Sequence, residues 1–220
     1  EEIAQYAYYL NRTEEIVSTR KEYSSDVTFS WKWNYLYDDN KNIIQETHYN
    51  WSGYWEAIYK NEYLYDENMN LIRMIIYSQY ASFSNLEFDR KLEYEYDESG
   101  NVTVLINYTW DKSTNQWIIR NKKVWEYDNS GNEILYAYYG WDNINNEWIG
   151  TEKYEYIFDE NGKLTLRTRD DWSSSLNDWI DYEKYTYSYD GNLLLELNYD
   201  WNSETEKWIV WGKGEYEYDK

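Results

Sequence analysis

The stretch "YDNSGNEILYAYYGW", residues 127–141, decides the fold. It opens on Tyr127-Asp128, turns through Asn-Ser-Gly, runs on through apolar and aromatic residues and closes on Trp141. Residues 96–110, "YDESGNVTVLINYTW", repeat the phrase. Asp, then Asn or Ser, then Gly is turn chemistry: a type I turn followed by a glycine at positive φ makes a three-residue hairpin with a bulge. Gly100, Gly131, Gly162 and Gly191 hold that place. The aromatic-Asp pair recurs at Tyr37-Asp38, Tyr65-Asp66, Tyr96-Asp97, Tyr127-Asp128, Phe158-Asp159, Tyr189-Asp190 and Tyr218-Asp219. Successive pairs lie 28 to 31 residues apart, so the chain is an internal repeat.

Each unit keeps one order. After the turn an outgoing strand leads to a first Trp (Trp51, Trp110, Trp141, Trp172 or Trp201). A short polar loop follows, such as "DKSTNQ" or "DNINNE", and a second Trp (Trp55, Trp117, Trp148, Trp179 or Trp208) begins the return strand. The third unit has Gln79 and Leu86 in those places, and the first has a longer, charged tip over residues 11–26. "YAYY" at residues 6–9 matches residues 136–139 and predicts an outgoing strand at the start of the chain.

The return strands alternate. Trp117, Ile119, Asn121, Lys123, Trp125 and Tyr127 fall on one side, and Ile118, Arg120, Lys122, Val124, Glu126 and Asp128 on the other. Period two with Tyr, Trp, Val and Ile predicts strands. The expected fold is all-β: an antiparallel meander of seven hairpin repeats, about 14 strands, in one repeat domain over residues 1–220 with units ending near 38, 66, 97, 128, 159, 190 and 219. Wide twisted sheets rarely stay flat, so the sheet is expected to curl strongly, barrel-like or as a spiral, with the paired aromatics such as Tyr94 and Tyr96 or Tyr154 and Tyr156 turned inward as core.

Composition narrows the function. The net charge of -21, with acids outnumbering bases two to one, argues against nucleic acid and disfavours an anionic membrane surface. There is no apolar run long enough for a membrane helix. An outer-membrane barrel is disfavoured because Asn121, Lys123, Glu152 and Glu183 would meet lipid. Cysteine is absent, which removes disulfides and thiolate metal sites, and His48 is the single histidine. It reads as an exposed strand residue opposite Tyr49 and Trp51. The polar loops lack the central Gly and distal Glu of a calcium loop. No cofactor or metal is therefore expected. With 42 acidic residues, a carboxylate pair at glycosidase spacing carries no information, and no nucleophile or phosphate-loop motif occurs. The chain opens "EEIAQYAYYL", without a charged-then-apolar signal pattern. A secretory signal would have been removed ahead of it.

The composition includes 29 Tyr and 14 Trp against 4 Phe, aromatics that carry a polar handle and suit half-wet surfaces. The Trp pairs are the candidate ligand-binding residues: aromatic platforms for the C–H faces of sugars. The bland reading, that each pair packs across its own hairpin, is the stronger for their main role, and both hold if a ring edge stays open. A lysine stands six residues before each Asp: Lys32, Lys60, Lys91, Lys122, Lys153, Lys184 and Lys213. That column either grips an anionic ligand or pairs with neighbouring Glu, and the acidic excess favours pairing.

"EYEYDESGNV", "VWEYDNSGNEI", "YSYDGNLL" and "YIFDENGKL" resemble the Tyr-Asp repeats of RHS-type proteins and, more closely, aromatic repeat regions of secreted or surface proteins of Bacteroidetes. The resemblance covers roughly residues 27–220. It implies a spiral antiparallel sheet and a secreted or cell-surface location, and it carries over no catalytic residue. The unit is about ten residues longer than an RHS repeat, and seven units are few for a shell. The expected function is a non-enzymatic surface module that binds glycans or another surface partner through its hairpin ends. The alternatives are a structural spacer and a glycan-active enzyme.

Overall fold

The computed structural model describes residues 3–5, 13–21, 28–79 and 85–218. Among these residues there are fifteen strands and no helix, and strand order equals chain order in one antiparallel meander. The first and last strands are not neighbours in that order, so the sheet is not closed into a barrel. The expected outgoing strand at residues 6–9, Asp219 and much of the third hairpin's tip lie outside the described residues.

The chain divides into two compact units. The first comprises Glu1–Tyr94 with Asn107–Ile119, the second Glu95–Ile106 with Arg120–Lys220. The first unit holds β1 (Ile3–Gln5), β2 (Thr13–Lys21), β3 (Thr28–Tyr37), β4 (Ile43–Trp51), β5 (Trp55–Tyr65) and β6 (Leu71–Ser78), together with most of β7 (Glu87–Tyr96). It also takes the Trp110–Trp117 end of the hairpin formed by β8 (Val102–Asp111) and β9 (Gln116–Tyr127). The second unit holds β10 (Glu133–Asp142), β11 (Glu147–Phe158), β12 (Leu164–Ser173), β13 (Asp178–Asp190), β14 (Asn192–Asn202) and β15 (Lys207–Glu215). One boundary differs from expectation. Residues 13–21, read as part of a loop tip, form β2 between β1 and β3.

The turns follow their residue types. Gly100, Gly131, Gly162 and Gly191 have φ of 85°, 83°, 76° and 74°. Lys41 and Met69 hold the same place at 70° and 67° without glycine's freedom. In the turns of Lys41, Met69, Gly100, Gly131 and Gly162 the Asp carbonyl accepts the N–H of that residue, as in Gly131 N to Asp128 O at 3.0 Å.

Strict alternation fails once on the return strand of five hairpins. On β10 and β11, Tyr138 pairs with Glu152 and Tyr139 with Gly150, which leaves Thr151 unopposed. The same skip leaves out Ile58, Asp89, Tyr182 and Trp211 in the other return strands. A one-residue bulge reverses the facing of everything beyond it. Trp141, Trp148, Tyr139, Gly150, Ala137 and Lys153 therefore share a face, and Tyr136, Tyr138, Glu152 and Tyr154 share the other. The expectation that the tip tryptophans and the paired tyrosines lie on one inward face is corrected: the bulge separates them, and it brings the lysine column to the tryptophan side. Burial is shallow on both faces. Among the described residues, Ile76 and Ala137 are the only buried hydrophobics.

The tryptophan–lysine ladder as a candidate functional site

All five expected Trp pairs are in contact, edge to face, with ring centroids 4.8 to 5.2 Å apart: Trp51–Trp55, Trp110–Trp117, Trp141–Trp148, Trp172–Trp179 and Trp201–Trp208. The register explains the contact, since Trp141 faces Trp148 and Trp172 faces Trp179 across the hairpin. T-shaped pairs place one ring's positive edge on the other's negative face. None of the ten rings is buried, and Trp51 is 48% exposed.

Each pair also leans on the hairpin before it. Lys122 lies 4.6 Å from the ring centre of Tyr139 and 4.7 Å from that of Trp148. Lys184 lies 4.6 Å from both Tyr199 and Trp208. Lys32 sits over Tyr49 and Trp55, and Lys91 over Tyr108 and Trp117. An ammonium above an aromatic face is attracted by the ring quadrupole. The lysines also meet carboxylates where a Glu stands two residues on: Lys60–Glu62 at 2.8 Å, Lys91–Glu93 at 2.7 Å, Lys153–Glu155 at 3.3 Å and Lys213–Glu215 at 2.6 Å. Pairing with Glu was legible in the sequence. The aromatic seat was not, because strict alternation put the lysines on the other face. Burial lowers the pKa of Lys122, with Glu95 opposing. Burial, and then the hydrogen bond with Glu62, raises the Tyr77 phenol; burial and Glu93 do the same to Tyr108.

The sixth hairpin departs from the pattern. Asp170 stands where the others have Tyr49, Tyr77, Tyr108, Tyr139 or Tyr199. It is buried, faces Asp181 and pairs with Lys153 at 2.7 Å. Burial raises its pKa, which Lys153 opposes and Asp181 reinforces. Lys153 is drawn down by burial, but Asp170 and Glu155 outweigh that and raise it. The Trp172–Trp179 pair meanwhile closes over Gly150, where a Cβ would overlap both rings. In the third hairpin, which lacks the Trp pair, Phe88 faces Tyr77 with the rings tilted at 4.9 Å and lies against the next hairpin's Trp110 and Trp117 at 4.9 and 5.4 Å.

His48 lies on the face opposite Tyr49 and Trp51, as expected, but it is half-buried rather than exposed. It stacks on Trp33 with centroids 4.5 Å apart and planes 6° from parallel. Burial lowers its pKa, and Glu46 opposes. A groove of about 870 Å³ in the second unit is lined by Glu126, Leu135, Glu155, Ile157, Leu166 and Thr168, together with the Asp128 and Asp159 turns. It lies towards the aspartate turns, and no Trp lines it.

No family model and no curated protein matches the chain. Solved structures do. A protein of unknown function from Bacteroides fragilis is 21% identical over 58% of this chain and 91% of its own, with a TM-score of 0.47. A DUF3836 family protein from Bacteroides vulgatus is 21% identical over 41% of this chain and 90% of its own, at 0.35. The TcdB2-TccC3-TEV structure is 14% identical over 92% of this chain and 12% of its own, at 0.24. At these scores the likenesses say nothing about what the chain does.

Proposed function

We propose that the chain is a non-enzymatic module of a secreted or cell-surface protein, built of seven Tyr-Asp hairpin repeats in a curled sheet, and that it binds glycans along its hairpin tips. The observation that carries this reading is the incomplete burial of the ten paired Trp rings: edges of large apolar surface stay open beside the polar tip loops. Ring edges next to hydroxyl and amide groups are what a sugar needs, an apolar platform with hydrogen-bonding partners at its rim. The tips supply those partners. Ser113 and Thr114 hydroxyls donate to Asp111, and the Asn145 amide donates to Asp142. A second reading, a structural spacer, is favoured by the lysines, because six of the seven already occupy an aromatic face.

Titrating the protein's tryptophan fluorescence with a panel of soluble oligosaccharides separates the two. The binding reading expects a saturable change with at least one glycan, lost in Trp51→Ala and weakened at least tenfold by Trp141→Ala. A flat response across the panel, with the protein folded by circular dichroism, leaves the spacer reading standing and ends the binding one.

A further inference from the structure

The groove in the second unit lies on the same face as Lys153, further towards the aspartate turns. The register builds its floor. Glu126, Leu135, Glu155 and Thr168 stand opposite one another across β9, β10, β11 and β12, so all four project to one face. Ile157 and Leu166, paired in the next row, project with them. Ile157 is 54% exposed on the floor of a cavity of about 870 Å³. The walls carry one sign of charge. Glu126, Glu155 and Glu160 line the groove with Asp128 and Asp159, and no lysine or arginine does. The two aspartates are committed to their turns, where their carboxylates accept the N–H groups of Ser130, Asn132, Asn161 and Lys163. Glu155 is 3.3 Å from Lys153, which Asp170 holds more closely at 2.7 Å, and its side chain stays half exposed. Glu126 is exposed and makes no hydrogen bond or ion pair among the described residues.

Three features select the occupant. Glu126 and Glu155 stand two strands apart, about 10 Å between their main chains. Among the described residues no three His, Cys, Asp or Glu side chains gather closely enough to hold a metal ion, so the matching cation is an extended one with its charges separated. Between and beside the two carboxylates lie Leu135, Ile157 and Leu166, which favour an apolar body on that cation. The main chain beneath is engaged in the β9–β10, β10–β11 and β11–β12 ladders, so it offers a peptide ligand no strand edge to pair with. We propose that this groove binds an aliphatic polyamine, with ammonium groups on Glu126 and Glu155 and the methylene chain over Leu135, Ile157 and Leu166. Charge-assisted hydrogen bonds to the carboxylates fix the positions of the charges, and burial of the methylenes adds affinity. The Thr168 hydroxyl, at the end of the same row, accepts from a further ammonium. None of the tip rings takes part, so the site is independent of glycan binding.

The test is calorimetric titration of the full chain with spermidine in low-salt buffer at neutral pH. One saturable site is expected, weakened at least tenfold by Glu126→Gln with Glu155→Gln and at least threefold by Ile157→Thr, with each variant folded by circular dichroism. Glu204→Gln with Glu206→Gln removes the same charge from a tip loop and is expected to leave the affinity within twofold, which separates the groove from the attraction of the whole acidic chain. Hexaamminecobalt(III) carries the charge of spermidine without its methylenes and is expected to bind at least tenfold more weakly. An acetylated, amidated lysine tripeptide carries the same charge on side chains and is expected to bind more weakly as well. A polyamine site is ruled out if spermidine shows no saturable binding, if the two Glu pairs behave alike or if Ile157→Thr binds like the parent. It is equally ruled out if hexaamminecobalt(III) matches spermidine or the lysine peptide binds more tightly.

Discussion

Asp128 accepts the N–H groups of Ser130 and Asn132 on one carboxylate oxygen, at 2.8 and 2.9 Å, and the Asn132 amide on the other at 2.9 Å. Asp38, Asp66 and Asp97 do the same with Asn42, Asn70 and Asn101. The hydrogen bonds from the Asn side chains hold the pKa of Asp97 and Asp128 below the ordinary value. A carboxylate with a depressed folded pKa stabilises fully above its unfolded pKa of about 3.9 and loses that contribution as pH falls through the folded value. Urea midpoints are therefore expected to be level near neutrality and to drop below about pH 4, with Asp97→Asn and Asp128→Asn lowering the neutral midpoint and flattening the drop. Asp170 has the opposite sign. Its raised pKa means that ionisation opposes folding above the folded value, so stability from this group declines as pH rises through it. Asp170→Tyr restores the ring used in five sister positions and should stabilise the protein by about 1 kcal/mol at neutral pH, read from urea melts. Gly150→Ala should cost about 1–3 kcal/mol, because the Trp172 and Trp179 rings fill the space its Cβ needs.

The hairpin is the element the sequence describes best. The Asp-x-x-Gly turns and the Trp at either side of the tip loop have their structural counterpart, because turn chemistry and period two are local. What was not local was not legible. The bulges at Ile58, Asp89, Thr151, Tyr182 and Trp211 have no residue signature in common, and each moves the lysine beyond it to the other face. Strict alternation through them puts Lys153 away from Trp148 and the paired tyrosines beside the tryptophans. The candidate Trp pairs were found from spacing alone, but their seat on the preceding hairpin depended on the bulge and went unseen. Residues 13–21 were missed as β2 because no Trp or aromatic-Asp pair marks them. At this scale the turns make a prediction. Met69 holds φ of 67°, where glycine is unstrained, so Met69→Gly should raise stability by about 1 kcal/mol, whereas Gly131→Ala should lower it by about the same amount in urea melts.

Across the whole chain, stability comes from neighbour contacts rather than from a deep core. Ile76 and Ala137 are the only buried hydrophobics among the described residues, while rings and lysines recur along the meander. In such an array stability approximates a sum of unit and nearest-neighbour terms. The net charge of -21 adds self-repulsion that salt screens, so the urea midpoint is expected to rise as sodium chloride increases to about 0.5 M. A midpoint that falls steadily with salt would instead give the ion pairs the larger share. A lysine on one hairpin and a tryptophan on the next hold the sheet together. A double-mutant cycle on Lys122→Met and Trp148→Ala should give a coupling of about 1 kcal/mol or more between the two sites in urea melts. Losses that add to within about 0.3 kcal/mol would contradict it.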